Sequence, residues 1–179
     1  MSSTDFAGRK AISEKKDWNT PPKYTDLVNE FFDGKIELDP CSNSTSMVNA
    51  RVNYILPTDG LSESWNYKTI YVNPPYGRNV ENKTSIYNWI EKGVESYKNG
   101  SELIYLIPVA TNTRHFKDFI FEYGCGICFL EDTRLKFWSE GEEDKKGAPM
   151  ACCIVYFGSD YDKFNKVFSR NGRCFEIIN

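Results

Sequence analysis

The sequence predicts an α/β fold: a mostly parallel sheet flanked by helices, with an antiparallel hairpin at its C-terminal end. Three observations lead there. Short apolar runs rich in β-branched and aromatic residues recur at residues 69–72, 103–109 and 151–157, and runs this short and bounded suit buried strands. Stretches with apolar residues at helical spacing accompany them, at residues 25–32, 84–97, 113–123 and 161–170. Alternation of the two kinds of element is the pattern of helices packed on a central sheet. No repeat, low-complexity tract or linker divides the chain. Residues 17–179 are therefore expected to form one domain, behind a mobile N-terminal arm of residues 1–16.

Composition narrows the class. With 40% hydrophobic and 15% aromatic residues, the chain can bury a core and does not read as a disordered partner segment. No apolar run approaches the ~20 residues of a membrane helix, and Met1-Ser2-Ser3-Thr4-Asp5 carries no apolar signal core. A cytoplasmic protein without membrane contact is expected. Cys125 and Cys128 form a Cys-x-x-Cys, and Cys152 and Cys153 are adjacent. Structural zinc needs four ligands, and His115 is the single histidine, so reduced core thiols and no metal are expected. The net charge of −3 weighs against nucleic acid, whose affinity comes largely from neutralised phosphates. A DNA-binding chain of this charge must gather its basic residues on one face.

Taken in order, Asp17-Trp18-Asn19-Thr20-Pro21-Pro22 is an extended approach, because proline disfavours helix at the residue before it. Residues 25–32 read as the first helix, with Leu27, Val28, Phe31 and Phe32 on one face and Thr25 as N-cap. Ile36-Glu37-Leu38 is a short strand, and Asp39-Pro40-Cys41-Ser42-Asn43 is its exit. In open α/β sheets, ligands sit outside the carboxyl ends of strands. Residues 49–55 lead into a second strand, and Asp59-Gly60 is a turn ahead of Trp65. Residues 77–82 make a polar loop able to close over a substrate. The helix at 84–97 points Ile86, Ile90 and Val94 inward, and 103–109 is a central buried strand. Residues 113–123 form a helix with Phe116, Phe119 and Ile120 inward; His115 within it reads as a surface residue or a satisfied polar group. Residues 126–130 and 151–157 form a long antiparallel hairpin, and a helix over 161–170 closes the fold.

The stretch Thr69-Ile70-Tyr71-Val72-Asn73-Pro74-Pro75-Tyr76 organises the rest. Its first four residues are a strand, which two prolines end because neither donates to a ladder. The stiff backbone beyond lets the Asn73 side-chain oxygen and the Pro74 carbonyl face one point as acceptors, with the Tyr76 ring beside them. Two convergent acceptors and a ring suit a planar group bearing an NH2. Asn73-Pro74-Pro75-Tyr76 resembles the catalytic motif of S-adenosylmethionine-dependent amino methyltransferases. Together with Asp17-Trp18-Asn19-Thr20-Pro21 and Leu38-Asp39-Pro40-Cys41, it resembles the small phage-type DNA adenine methyltransferases of the Dam class, over residues 17–158.

That resemblance implies a Rossmann-like methyltransferase fold, with S-adenosylmethionine as cofactor and DNA as substrate. The reaction is methylation of the exocyclic N6 amino group of adenine, in the cytoplasm of a bacterial host where the gene is carried by a phage or prophage. It assigns catalysis to Asn73, Pro74, Pro75 and Tyr76, and the cofactor to Trp18, Thr20, Pro21, Asp39, Pro40, Cys41, Asp59 and Asn73. Trp18 can equally cover the core and Asp59 can equally be a turn residue; a turn or cap role is the other reading of Asp39. The Gly-x-Gly turn of many methyltransferases is missing here. For phosphates, Arg134 and Lys136 at the base of the hairpin come first and Arg78 next; solvated surface charge is their other reading. RNA adenine or a protein glutamine remains open as acceptor, as does a catalytically silent binding protein of the same fold.

Overall fold

The computed structural model describes residues 18–139, 141–145 and 147–178. The proposed arm at 1–16 lies outside them. Helix α1 runs Pro22–Phe31, followed by strands β1 Leu38–Ser42, β2 Val52–Ile55 and β3 Thr69–Val72. Helix α2 spans Ile86–Lys98 and strand β4 Glu102–Pro108. A π-helical turn at Phe116–Ile120 runs into α3, Phe121–Tyr123. Strands β5 Gly126–Leu130, β6 Trp138–Ser139, β7 Glu142–Glu143 and β8 Cys152–Phe157 come next. Helix α4, Tyr161–Phe168, leads through a 3-10 turn into β9, Gly172–Glu176.

Seven strands form one sheet in the order β2-β1-β3-β4-β8-β5-β9. The pairs β1–β2, β1–β3 and β3–β4 are parallel. Strand β8 enters antiparallel between β4 and β5, and β9 adds antiparallel to β5. The mostly parallel α/β sheet with antiparallel pairing at its C-terminal end is the architecture that the alternation of elements predicts. Its strands sort their side chains by period two. Ile104 and Leu106 face α1 and α4 in one core, with Phe31, Phe164 and Phe168. Leu103, Tyr105 and Ile107 face α2 in the other, with Ile90 and Val94.

Local differences from the sequence expectations have physical reasons. Thr25 is not the N-cap: α1 begins at Pro22, whose fixed φ suits a first helical position, and the Thr25 hydroxyl donates to the Pro22 carbonyl at 3.0 Å. Asp39, Pro40 and Cys41 belong to β1 itself, not its exit, with an irregular register between Asp39 and Ser42. His115 is buried and satisfied, its Nε2 3.1 Å from the Thr113 hydroxyl. Strand β9 was not legible, because only Gly172 of its five residues is buried, which leaves no apolar period to read. All six cysteines are free.

Candidate active site

Because β1 pairs with β2 on one side and β3 on the other, the chain reverses direction across the sheet between them. Such a reversal opens a crevice beyond the carboxyl ends of the two strands. Its walls are Asp39, Cys41 and the loop residues Asn43, Ser46 and Val48 after β1, Tyr71 and Asn73 from β3, and Trp18, Asn19 and Thr20 from the segment before α1. The space between these walls is about 10 Å³, close to the room one water needs. A nucleoside-sized ligand must part the walls or lie across their mouth.

The segment 18–20 is a strap laid over the end of β3. The Asn73 side-chain nitrogen donates to the Trp18 carbonyl at 3.0 Å and, at a long 3.4 Å, to the Thr20 hydroxyl. This leaves the amide oxygen without a donor among the described residues, and no described donor takes the Pro74 carbonyl. Thr20 is 4% exposed and its hydroxyl lies 2.5 Å from that of buried Tyr71. The strap is itself held from both sides. Asn19 exchanges backbone hydrogen bonds with Trp138, at 2.9 and 3.0 Å. The Asn19 side chain donates to the Thr45 hydroxyl at 2.8 Å and accepts from Asn43 at 2.7 Å.

Aromatic packing holds Trp18 and Tyr76 together with Phe137. The Trp18 ring stacks on Phe137 at 4.9 Å, and Tyr76 stands edge-to-face with Trp18 at 6.2 Å and with Phe137 at 5.9 Å. The Tyr76 hydroxyl donates to the Leu106 carbonyl on β4 at 3.1 Å, and burial raises its pKa far above that of a free tyrosine. The ring is thus anchored at one end and half-buried at the other. The indole nitrogen of Trp18 is buried with no acceptor among the described residues.

Asp39 is 4% exposed. Its carboxylate accepts from the Cys41 backbone N–H at 3.0 Å, and the nearby hydroxyls of Ser42 and Ser46 also favour its charged form. These donors do not offset the burial, which pushes its pKa up to about 7. Burial also raises the Cys41 thiol, with Asp39 and Asp59 adding to the shift. A buried carboxyl of this kind ionises readily only beside a cation.

The structure thus brings Trp18, Thr20, Asp39, Cys41 and Asn73 to one cleft and leaves other expected residues off it. Both oxygens of Asp59 are taken in its own turn, from the Leu61 N–H and the Ser62 hydroxyl, each at 3.0 Å. That turn packs tightly on β1, where a Cβ on Gly60 would lie 2.0 Å from the Pro40 carbonyl. Pro40 is buried behind the wall, Pro74 is buried, and Pro75 is exposed. Pro21 lines a separate groove of about 420 Å³ with Lys23, Asp132, Arg134, Lys136, Trp138 and Glu143. There Arg134 and Lys136 flank buried Leu135, but Lys136 is paired with Glu143 at 2.8 Å and Lys23 with Asp132 at 2.6 Å. Arg78 is exposed and lies outside that groove. Asn19, Asn43 and Tyr71, which stand in the quoted motifs without being named as site residues, line the cleft with Ser46 and Val48. Asn19 carried a signal as part of the Asp17–Pro21 motif, and Tyr71 as the residue two before Asn73 on the same strand face.

Fold and cleft together define an α/β protein with a crevice at its switch point, walled by a buried carboxyl and an Asn-Pro-Pro-Tyr strand exit. Residues 8–174 match the family DNA N-6-adenine-methyltransferase (Dam), and the chain belongs to it. A solved structure from Listeria monocytogenes, described as a candidate class I S-adenosylmethionine-dependent methyltransferase, is similar at 16% identity with a TM-score of 0.46. The likeness covers 78% of this chain and 61% of that one. No curated protein matches the chain.

Proposed function

We propose that this protein methylates the exocyclic N6 amino group of adenine in DNA, using S-adenosylmethionine, in the cytoplasm of a bacterial host. The observation that carries the reading is the Asn73 amide, held by its nitrogen so that its oxygen is left for an acceptor role beside the Pro74 carbonyl. Once parted, the walls carry groups that suit the amino-acid end of the cofactor. Asp39 offers a buried carboxylate to an ammonium, and the unpartnered Trp18 indole N–H is a donor beside the same strap. When bound, S-adenosylmethionine supplies a methyl group already made electrophilic by its sulfonium.

The chain's own task is placement. Asn73 and Pro74 accept the two amino hydrogens of the base, which aims the nitrogen lone pair and favours the positive charge that develops on it. Tyr76, fixed through Leu106, supplies a ring for the base. Adenine in a duplex must leave the stack to reach these groups, and an aromatic partner offsets part of the lost stacking. Arg134 and Arg78 are the phosphate contacts of this reading, with Lys136 once it is released from Glu143.

The test is transfer of labelled methyl into DNA, RNA and protein pools by wild-type protein and by Asn73→Ala. Incorporation into adenine of DNA is expected, and the variant should lose about a hundred-fold or more in rate at near-unchanged cofactor affinity. Incorporation into RNA or protein alone, or full activity in the variant, overturns the assignment.

A further inference from the structure

We propose that Thr20 is a positioning residue for the transfer: together with the Trp18 carbonyl, it selects which end of the Asn73 amide faces the substrate. The inference rests on Asn73 receiving the amino hydrogens of adenine. The two ends of an asparagine amide are nearly the same size and opposite in role. A half-turn of the amide would present NH2 to the NH2 of the base, donor against donor, and the site would repel the group it has to hold.

Two strap atoms oppose that half-turn. The Trp18 carbonyl, 3.0 Å from the Asn73 nitrogen, can only accept, so the reversed amide would set oxygen against oxygen. The Thr20 hydroxyl, at 3.4 Å, is by itself indifferent, because a hydroxyl can donate or accept. Between Thr20 and Tyr71 either hydroxyl can donate; in the proposed arrangement Thr20 is the donor. The Tyr71 hydroxyl lies 2.5 Å from the Thr20 oxygen and offers a place for the single Thr20 proton. With that proton directed to Tyr71, Thr20 turns lone pairs toward Asn73 and accepts from its nitrogen. Tyr71 is 1% exposed and Thr20 4%, so little water is at hand to redirect the proton. Thr20, drawn by resemblance to the cofactor, thus has its hydroxyl committed to the catalytic amide.

Thr20→Val keeps the branched shape and removes the hydroxyl. With a reversed amide then populated, kcat should fall by about tenfold or more, while KM for DNA and Kd for S-adenosylmethionine stay within about threefold. Thr20→Ser restores the hydroxyl and should recover most of the lost kcat. Tyr71→Phe, which removes the group that takes the Thr20 proton, should lower kcat in the same direction by a smaller factor, and it carries the test if Thr20→Val does not fold. In an Asn73→Ala background Thr20→Val should add nothing, because the amide it orients is gone. Wild-type kcat in Thr20→Val, a loss confined to cofactor Kd, or failure of Thr20→Ser to recover overturns the positioning role. If Asn73→Ala itself turns over normally, the assignment of Asn73 fails, which is a distinct outcome.

Discussion

At the scale of single residues, Asp39 sets how the site responds to pH. Its carboxyl is 4% exposed and titrates near 7 because burial penalises the charged form. The folded pKa is raised above the unfolded value, so its contribution to stability is fully present below about pH 4 and is lost as pH rises through about 7. The free protein should lose thermal stability over that interval. Asp39→Asn, which has no charge to bury, should flatten the loss and be the more stable of the two above pH 7. Cofactor binding should run the other way. An ammonium beside Asp39 favours the carboxylate, so binding below pH 7 displaces a proton and tightens as pH approaches 7. Calorimetry at pH 6 in buffers of different ionisation enthalpy reads that proton directly. Proton release equal in wild type and Asp39→Asn, with equal affinities, would leave Asp39 a wall residue only. Sequence pointed to this aspartate from its place at the end of an apolar strand. It could not show the burial that shifts it, which comes from packing by Tyr71, Val48 and the strap.

At the scale of elements, the docking of α2 on β4 turns on a glycine. A Cβ at Gly93 would lie 1.8 Å from the Tyr105 hydroxyl, and that buried hydroxyl donates to the Trp89 carbonyl of the same helix at 2.9 Å. Two effects compete in Gly93→Ala. Helix propensity favours alanine by about 1 kcal/mol, and overpacking a filled core costs about 1–3 kcal/mol, with a buried hydrogen bond at stake besides. The contact should win: urea denaturation is expected to show a net loss of about 1–3 kcal/mol, and a stabilised variant would mean that Tyr105 can move aside. Glycine inside a helical pattern is visible in sequence, but its partner Tyr105, on a strand twelve residues beyond it in number and across the helix–sheet interface, is not. The same limit separates what was legible elsewhere. Strands β3, β4 and β8 announce themselves because both faces are buried, and α2 and α4 by their apolar spacing. Strand β9 and the contacts of Asn19 depend on pairing with distant chain, Cys128 opposite Cys174 and Asn19 opposite Trp138, and no local pattern encodes them. Asn73 was legible as a residue; the hydrogen bonds that the strap makes to its amide nitrogen were not.

At the scale of the whole molecule, a chain of net charge −3 holding DNA has to do so through local cations, and the groove beside the strap shows how few are free. Lys23 and Lys136 are both paired, with Asp132 and Glu143, and Arg134 stands exposed between them. Exposed pairs of this kind are worth little to stability, so exchanging a carboxylate for a phosphate is not opposed by the fold. The groove adjoins the site through the backbone exchange of Asn19 with Trp138, so a duplex lying along it stays close to Asn73. Each phosphate neutralised steepens the fall of log affinity with log salt by about 0.9. Replacing Arg134 and Lys136 together by alanine should therefore weaken DNA binding and flatten that slope by nearly two units, leaving S-adenosylmethionine affinity unchanged. Glu143→Gln frees Lys136 from its partner, and it should tighten DNA binding at low salt without loss of methyl transfer. The two variants move affinity in opposite directions only if this groove is the phosphate face. An unchanged slope in the double variant, with DNA still bound and methylated, would place that face elsewhere and leave Arg78, two residues beyond Tyr76, as the cation to remove next.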